Sequence, residues 1–125
     1  MRFDLTGYSA KQQRALLDLL ILAMYTDGHL SVWEEAWLQE LMTGMGFQEE
    51  SARQHEFDEA VARTSPSTKH IVQARDQALK LADLFIQRDQ QKQVYDAVQW
   101  IMGSDGHVST WETMLLSELR MKFRL

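Results

Sequence analysis

The chain has 125 residues, of which 45% are hydrophobic, a formal net charge of -5 and no cysteine. That length fits one domain, residues 1–125, able to bury roughly two-thirds of the surface its unfolded chain exposes. Without thiols, disulfide frameworks, Cys-ligated zinc, iron–sulfur clusters and cysteine nucleophiles are excluded. A pI near 5.3 argues against nucleic acid, whose phosphates need clustered Lys and Arg.

The first residues, Met1-Arg2-Phe3-Asp4-Leu5, lack the basic, apolar and cleavage regions of a secretory signal, so a cytoplasmic protein is expected. Periodicity is helical nearly throughout, which predicts an all-α fold of about six helices in one compact bundle. Ser9 opens a helix to about Thr26 that is apolar almost all round from Ala15 to Met24, apart from Asp18, and so should be central. Its apolar stretch, Leu19 to Tyr25, is too short to span a membrane. A second helix starts at Ser31 and carries Trp33, Trp37, Leu41 and Met45 on one stripe until Gly44 and Gly46 break it. Residues 48–63 form a weaker helix held inward by Phe57, Ala60 and Val61. After the loop Thr64-Ser65-Pro66-Ser67, a fourth helix with Ile71, Ala74, Ala78, Ala82 and Phe85 on one face is expected to reach about Gln87. Residues 88–93 are either a turn or an exposed helical stretch. A fifth helix runs through Val94, Val98 and Ile101 to Gly103, and a sixth from Ser109 buries Trp111, Leu115 and Leu119.

The chain repeats itself at an offset of 78 residues. Positions 24–41 and 102–119 share ten identities in eighteen, among them Asp27/Asp105, Gly28/Gly106, His29/His107, Ser31/Ser109, Trp33/Trp111 and Glu34/Glu112. Both copies spell helix, tight turn, helix, in units of about residues 9–47 and 89–125. Gly28 and Gly106 stand where a helix ends in a left-handed residue. Ser31 with Glu34 and Ser109 with Glu112 spell the capping box.

Capping explains Asp27 and Asp105 least well, because a carboxylate at a helix C-terminus opposes the macrodipole by about 0.3–1 kcal/mol. An Asx-type bond to the turn amides is one compensation and a bound cation is another. The spacing also reproduces the back half of an EF-hand loop, with Asp27 at loop position 5, Gly28 at 6, His29 at 7 and Glu34 at 12. The front half fails, since Ala23 and Tyr25, and Ile101 and Gly103 in the second copy, supply no side-chain carboxylates. Two half-sites brought together could share one ion.

On these two D-G-x-x-S-x-x-E units the chain resembles the TerB-like family, the small helical domains of tellurite-resistance TerB and of the N-terminal region of DjlA-type co-chaperones. The resemblance covers nearly the whole chain. It implies an all-α fold of six or seven helices and a metal-binding role for Asp27, Glu34, Asp105 and Glu112. It also implies stress-response physiology with partner proteins. Departures from the family pattern are the long connection between units, the histidines and the lack of a J-domain.

Oxygen-only ligation favours calcium or magnesium. His29 and His107 are secondary candidates that would suit zinc or another transition metal. His55 and His70 have no repeat partner and are expected at the surface. No H-E-x-x-H, phosphate loop or G-x-S-x-G elbow occurs, so a non-enzymatic protein is expected, with a metal-dependent hydrolase as the remote alternative. From Asp27 to Glu59 there are nine acids and one base, Arg53, whereas Arg120, Lys122 and Arg124 crowd the last six residues. That asymmetry suggests a protein partner on an acidic face, with membrane contact at most weak and peripheral. The leading expectation is therefore a divalent-cation-binding interaction module. The alternative is a metal-free helical adaptor whose motifs only cap helices.

Overall fold

The computed structural model describes residues 4–24, 32–66, 70–103 and 110–125, without the side chains of 32–34. Among the described residues the fold is an all-α bundle of six helices: α1 (Ala10–Met24), α2 (Val32–Gly44), α3 (Glu50–Thr64), α4 (Ile71–Ala82), α5 (Arg88–Gly103) and α6 (Thr110–Phe123). Among the described residues no helix is long and apolar enough to cross a membrane.

Helix α1 starts in a reciprocal capping box. The Ser9 amide donates to Gln12 Oε1 at 3.0 Å and the Gln12 amide donates to Ser9 Oγ at 3.1 Å, so two amides that no helical carbonyl can serve are satisfied. From Ala15 to Met24 every residue is buried. Helices α3, α4 and α5 all pack against it. They can approach because their inner positions are small: Ala60, Ala74, Ala78 and Ala97 are buried to within 1%, leaving room for the Leu and Ile side chains of α1 at crystal-like density.

Asp18 is the charge in that buried run. Arg63 of α3 meets it with two parallel bonds, Nε to Oδ2 at 2.9 Å and Nη2 to Oδ1 at 2.8 Å. This fork geometry is the strong form of a carboxylate–guanidinium pair. It holds the Arg63 guanidinium above its ordinary pKa, chiefly through the hydrogen bond to Asp18. Glu56 of the same helix is buried beside it, with Oε1 3.8 Å from Arg63 Nη2 and 3.9 Å from Arg14 Nε.

The fourth helix is shorter than its apolar pattern predicts, ending at Ala82 rather than Gln87. Its last turn tightens into i→i+3 bonds, Leu84 N to Leu81 O and Phe85 N to Ala82 O. The carbonyls of Leu84 and Phe85, which a continuing helix would use, instead accept from Gln12 Nε2 at 2.8 Å and Gln91 Nε2 at 2.9 Å. Phe85 therefore reaches the core from a connection, its ring 6.1 Å from Tyr8. Residues 88–93 are the first turns of α5. Ile71, expected on the inner face, is 49% exposed.

The repeat extends into the backbone. Helices α1 and α5 begin 78 residues apart, as do α2 and α6. Both second helices end in the same Schellman arrangement: Phe47 N to Met42 O with Gly46 N to Thr43 O, and Leu125 N to Arg120 O with Arg124 N to Met121 O. The left-handed residue is Gly46 (φ 107°) in one copy and Arg124 (φ 55°) in the other. Gly46→Ala should therefore cost about 1 kcal/mol of stability and Arg124→Gly should gain a similar or smaller amount, read from urea denaturation midpoints at unchanged m-value. Asp18→Ala should cost about 2–3 kcal/mol, less than a fully buried pair, because the Arg63 side chain retains 34% exposure. In a double-mutant cycle with Arg63→Ala the two losses should be strongly non-additive.

Candidate functional site

The two first helices of the repeat are locked together at matching positions. Gln12 and Gln90, repeat counterparts, are joined by a bond from Gln12 Nε2 to Gln90 Oε1 at 3.1 Å, and Gln90 Nε2 donates to Gly7 O at 3.2 Å. A residue that meets its own equivalent marks a pseudo-two-fold relation, the intramolecular form of an isologous contact. Beside it, the Tyr8 hydroxyl donates to Gln93 Oε1 at 2.7 Å. Helices α1 and α5 thus meet near their N-termini at equivalent positions.

At the other end, Trp111 in the first turn of α6 donates its indole N–H to the carbonyl of Leu22, near the C-terminus of α1, at 3.3 Å. The rings of Trp37 of α2 and Trp100 of α5 lie 5.4 Å apart, centroid to centroid. Each first helix therefore touches the second helix of the other unit. Both D-G corners lie outside the described residues.

Of the six ligand candidates, Asp27, His29, Asp105 and His107 lie outside the described residues, and Glu34 lies in α2 with its side chain outside them. Glu112 is described. Its carboxylate sits in the first turn of α6, buried to 6% exposure beside Trp111, where the positive pole of the helix favours it. Among the described residues no three metal-ligating side chains gather.

Of the acids read as a docking face on the second and third helices, Glu35, Glu40, Glu49, Glu50, Asp58 and Glu59 are exposed. Glu56 is withdrawn from that face and turned toward Arg14 and Arg63. At the C-terminal end, Lys122 pairs with Asp83 and Arg120 Nε donates to Leu125 O at 3.1 Å. His55 and His70 are at the surface, His55 3.7 Å from Glu59.

Sequence reading passed over the polar junction of Gln12, Gln90, Tyr8 and Gln93. The same 78-residue offset, carried backward from Met24, pairs Gln12 with Gln90, Arg14 with Lys92 and Asp18 with Asp96, which marks the first two as equivalent, while their contact shows only in the fold.

Burial, followed by the nearby charges of Asp89 and Asp4, pushes the Tyr8 hydroxyl up to about 12. The unfolded chain releases this proton near pH 10, so between about pH 10 and 12 unfolding is favoured by proton release; below that window the contribution is intact. A Tyr8→Phe variant should therefore lose less stability than the wild type across that interval, measured by urea melts at stepped pH. No family model, curated protein or solved structure matches the chain.

Proposed function

We propose that the chain is a TerB-like, non-enzymatic helical domain of the cytoplasm that binds a divalent cation between its two D-G corners and engages a protein partner through the acidic face of α2 and α3. Asp27, Glu34, Asp105 and Glu112 are the ligands in this reading. An all-oxygen set suits calcium or magnesium, which take six or more hard donors with water completing the shell. The family resemblance connects the domain with tellurite resistance and stress response.

The observation that carries the reading is the Gln12–Gln90 bond between repeat counterparts. It supports a shared ion because it joins the two units at equivalent positions, the relation that two half-sites serving one ion would need. The buried carboxylate of Glu112 in the first turn of α6 adds a ligand-competent group.

A second reading, the metal-free adaptor, is favoured by the box at Ser9 and Gln12. There an S-x-x-Q sequence caps a helix with both reciprocal bonds formed, so S-x-x-E at residues 31–34 and 109–112 has sufficient reason to exist without an ion.

Terbium separates the two. If the corners hold a cation, Trp111 should sensitise terbium emission that excess calcium competes away, and Asp27→Asn/Asp105→Asn should abolish the signal while the far-ultraviolet circular dichroism stays unchanged. Equal emission from the wild type and the double variant sinks the cation reading and leaves the adaptor.

A further inference from the structure

In the first unit, α3 occupies the groove beside α1 and α2. Arg14, Leu17, Asp18 and Ile21 share one face of α1 by their spacing, and both charged residues meet α3: Arg14 lies 3.9 Å from Glu56 and Asp18 holds Arg63. At the end of α2, Arg53 of α3 donates to Gln39 Oε1 at 2.6 Å and to the carbonyls of Phe47 and Gln48 at 3.2 and 2.6 Å. The counterparts of that α1 face on α5, 78 residues on, are Lys92, Tyr95, Asp96 and Gln99.

Beside this face lies an open groove of about 870 Å³, lined by Arg88, Asp89, Lys92, Tyr95 and Gln99 of α5 with Arg120 and Leu125 from the end of α6, and Asp96 stands next to it, outside the lining. Five of those seven, Lys92, Tyr95, Gln99, Arg120 and Leu125, are the repeat equivalents of Arg14, Leu17, Ile21, Met42 and Phe47, while Arg88 and Asp89 correspond to the exposed Ala10 and Lys11. Leu17, Ile21 and Met42 are buried. The aliphatic Leu17 and Ile21 are replaced by Tyr95 and Gln99, side chains that tolerate water in an open groove. Lys92 meanwhile pairs with Asp96 at 2.8 Å on the surface, an i,i+4 pair worth only a few tenths of a kcal/mol. Asp18, the counterpart of Asp96, is paired instead with Arg63 of α3. Arg88 caps the carbonyls of Phe123 and Arg124, a role that Arg53 of α3 fills near the end of α2.

We propose that the α5–α6 groove is a docking site for an amphipathic helix of a partner protein, seated as α3 is seated in the first unit. The pseudo-symmetry specifies the occupant's chemistry: an Arg for Asp96, a Glu seven residues earlier for Lys92, as Arg63 and Glu56 stand in α3, and a small apolar stripe between them. This is the helix-in-groove mode of recognition. The groove is distinct from the acidic face of α2 and α3 and does not depend on cation binding.

The probe is a peptide of residues 49–65, the α3 sequence, titrated into the 15N-labelled full chain. Selective amide shifts at Tyr95, Asp96, Gln99 and Leu125 are expected. Asp96→Arg should weaken binding by at least about tenfold, and a peptide carrying Arg63→Glu should restore it. Asp96 is not part of the core, and circular dichroism checks that the variant stays folded. Gln99→Trp, which fills the groove from the same face, should abolish the shifts as a second variant. No selective shift at ~1 mM peptide, a Kd range of weak transient contacts, would overturn the proposal. So would shifts confined to α1 and α2, which would mean exchange with the resident α3, or equal affinity of the wild type and Asp96→Arg. Any of these failures leaves the terbium result, and the cation reading, untouched.

Discussion

Helix α1 must be covered on every side. Ten consecutive residues, Ala15 to Met24, are buried, and each large aliphatic side chain among them is worth roughly 1.5–3 kcal/mol out of water. Three helices converge on it, and the alanines on their inner faces are the means of approach. The one carboxylate in the run, Asp18, could not be left unpaired in that environment, so α3 must bring Arg63 to it. The placement of α3 follows, and with it the burial of Glu56 and the contact of Arg53 with the end of α2.

The same local template therefore has two outcomes in one chain. Asp18 and Asp96 are repeat counterparts, as are Arg14 and Lys92. In the first unit the acid is buried in a bidentate bond across helices, while in the second it makes an exposed pair within its own helix. What differs is the connection formed by α3 and α4, which packs on α1 and leaves the corresponding face of α5 open. Pseudo-symmetry governs the helix starts, the paired glutamines and both Schellman ends. The connecting helices break it.

Much of the architecture was legible in the residues. The six helices, the central position of α1 and the inward faces of α5 and α6 follow from spacing, because a 3.6-residue period writes burial directly into the sequence. The end of α4 did not follow. Its apolar pattern runs on to Phe85, but the carbonyls of Leu84 and Phe85 are claimed by Gln12 and Gln91, partners that only the folded chain brings near. The acidic face was legible as a charge run, yet Glu56 is turned inward by Arg14 and Arg63. The ligand set Asp27, Glu34, Asp105 and Glu112 remains a sequence reading, with Glu112 alone described as a side chain.

By itself the sequence determined the helical period, the doubled corner and the 78-residue offset at which helices begin, because capping, turn and burial signals act over a few residues. Only the tertiary structure decided which of two equivalent faces would be covered. Lys92 and Asp96 of α5 repeat the charged spacing of Arg14 and Asp18 of α1, with Tyr95 and Gln99 where α1 has Leu17 and Ile21. Whether such a face becomes core or stays open depends on a helix arriving from elsewhere in the chain, and α3 packs on α1.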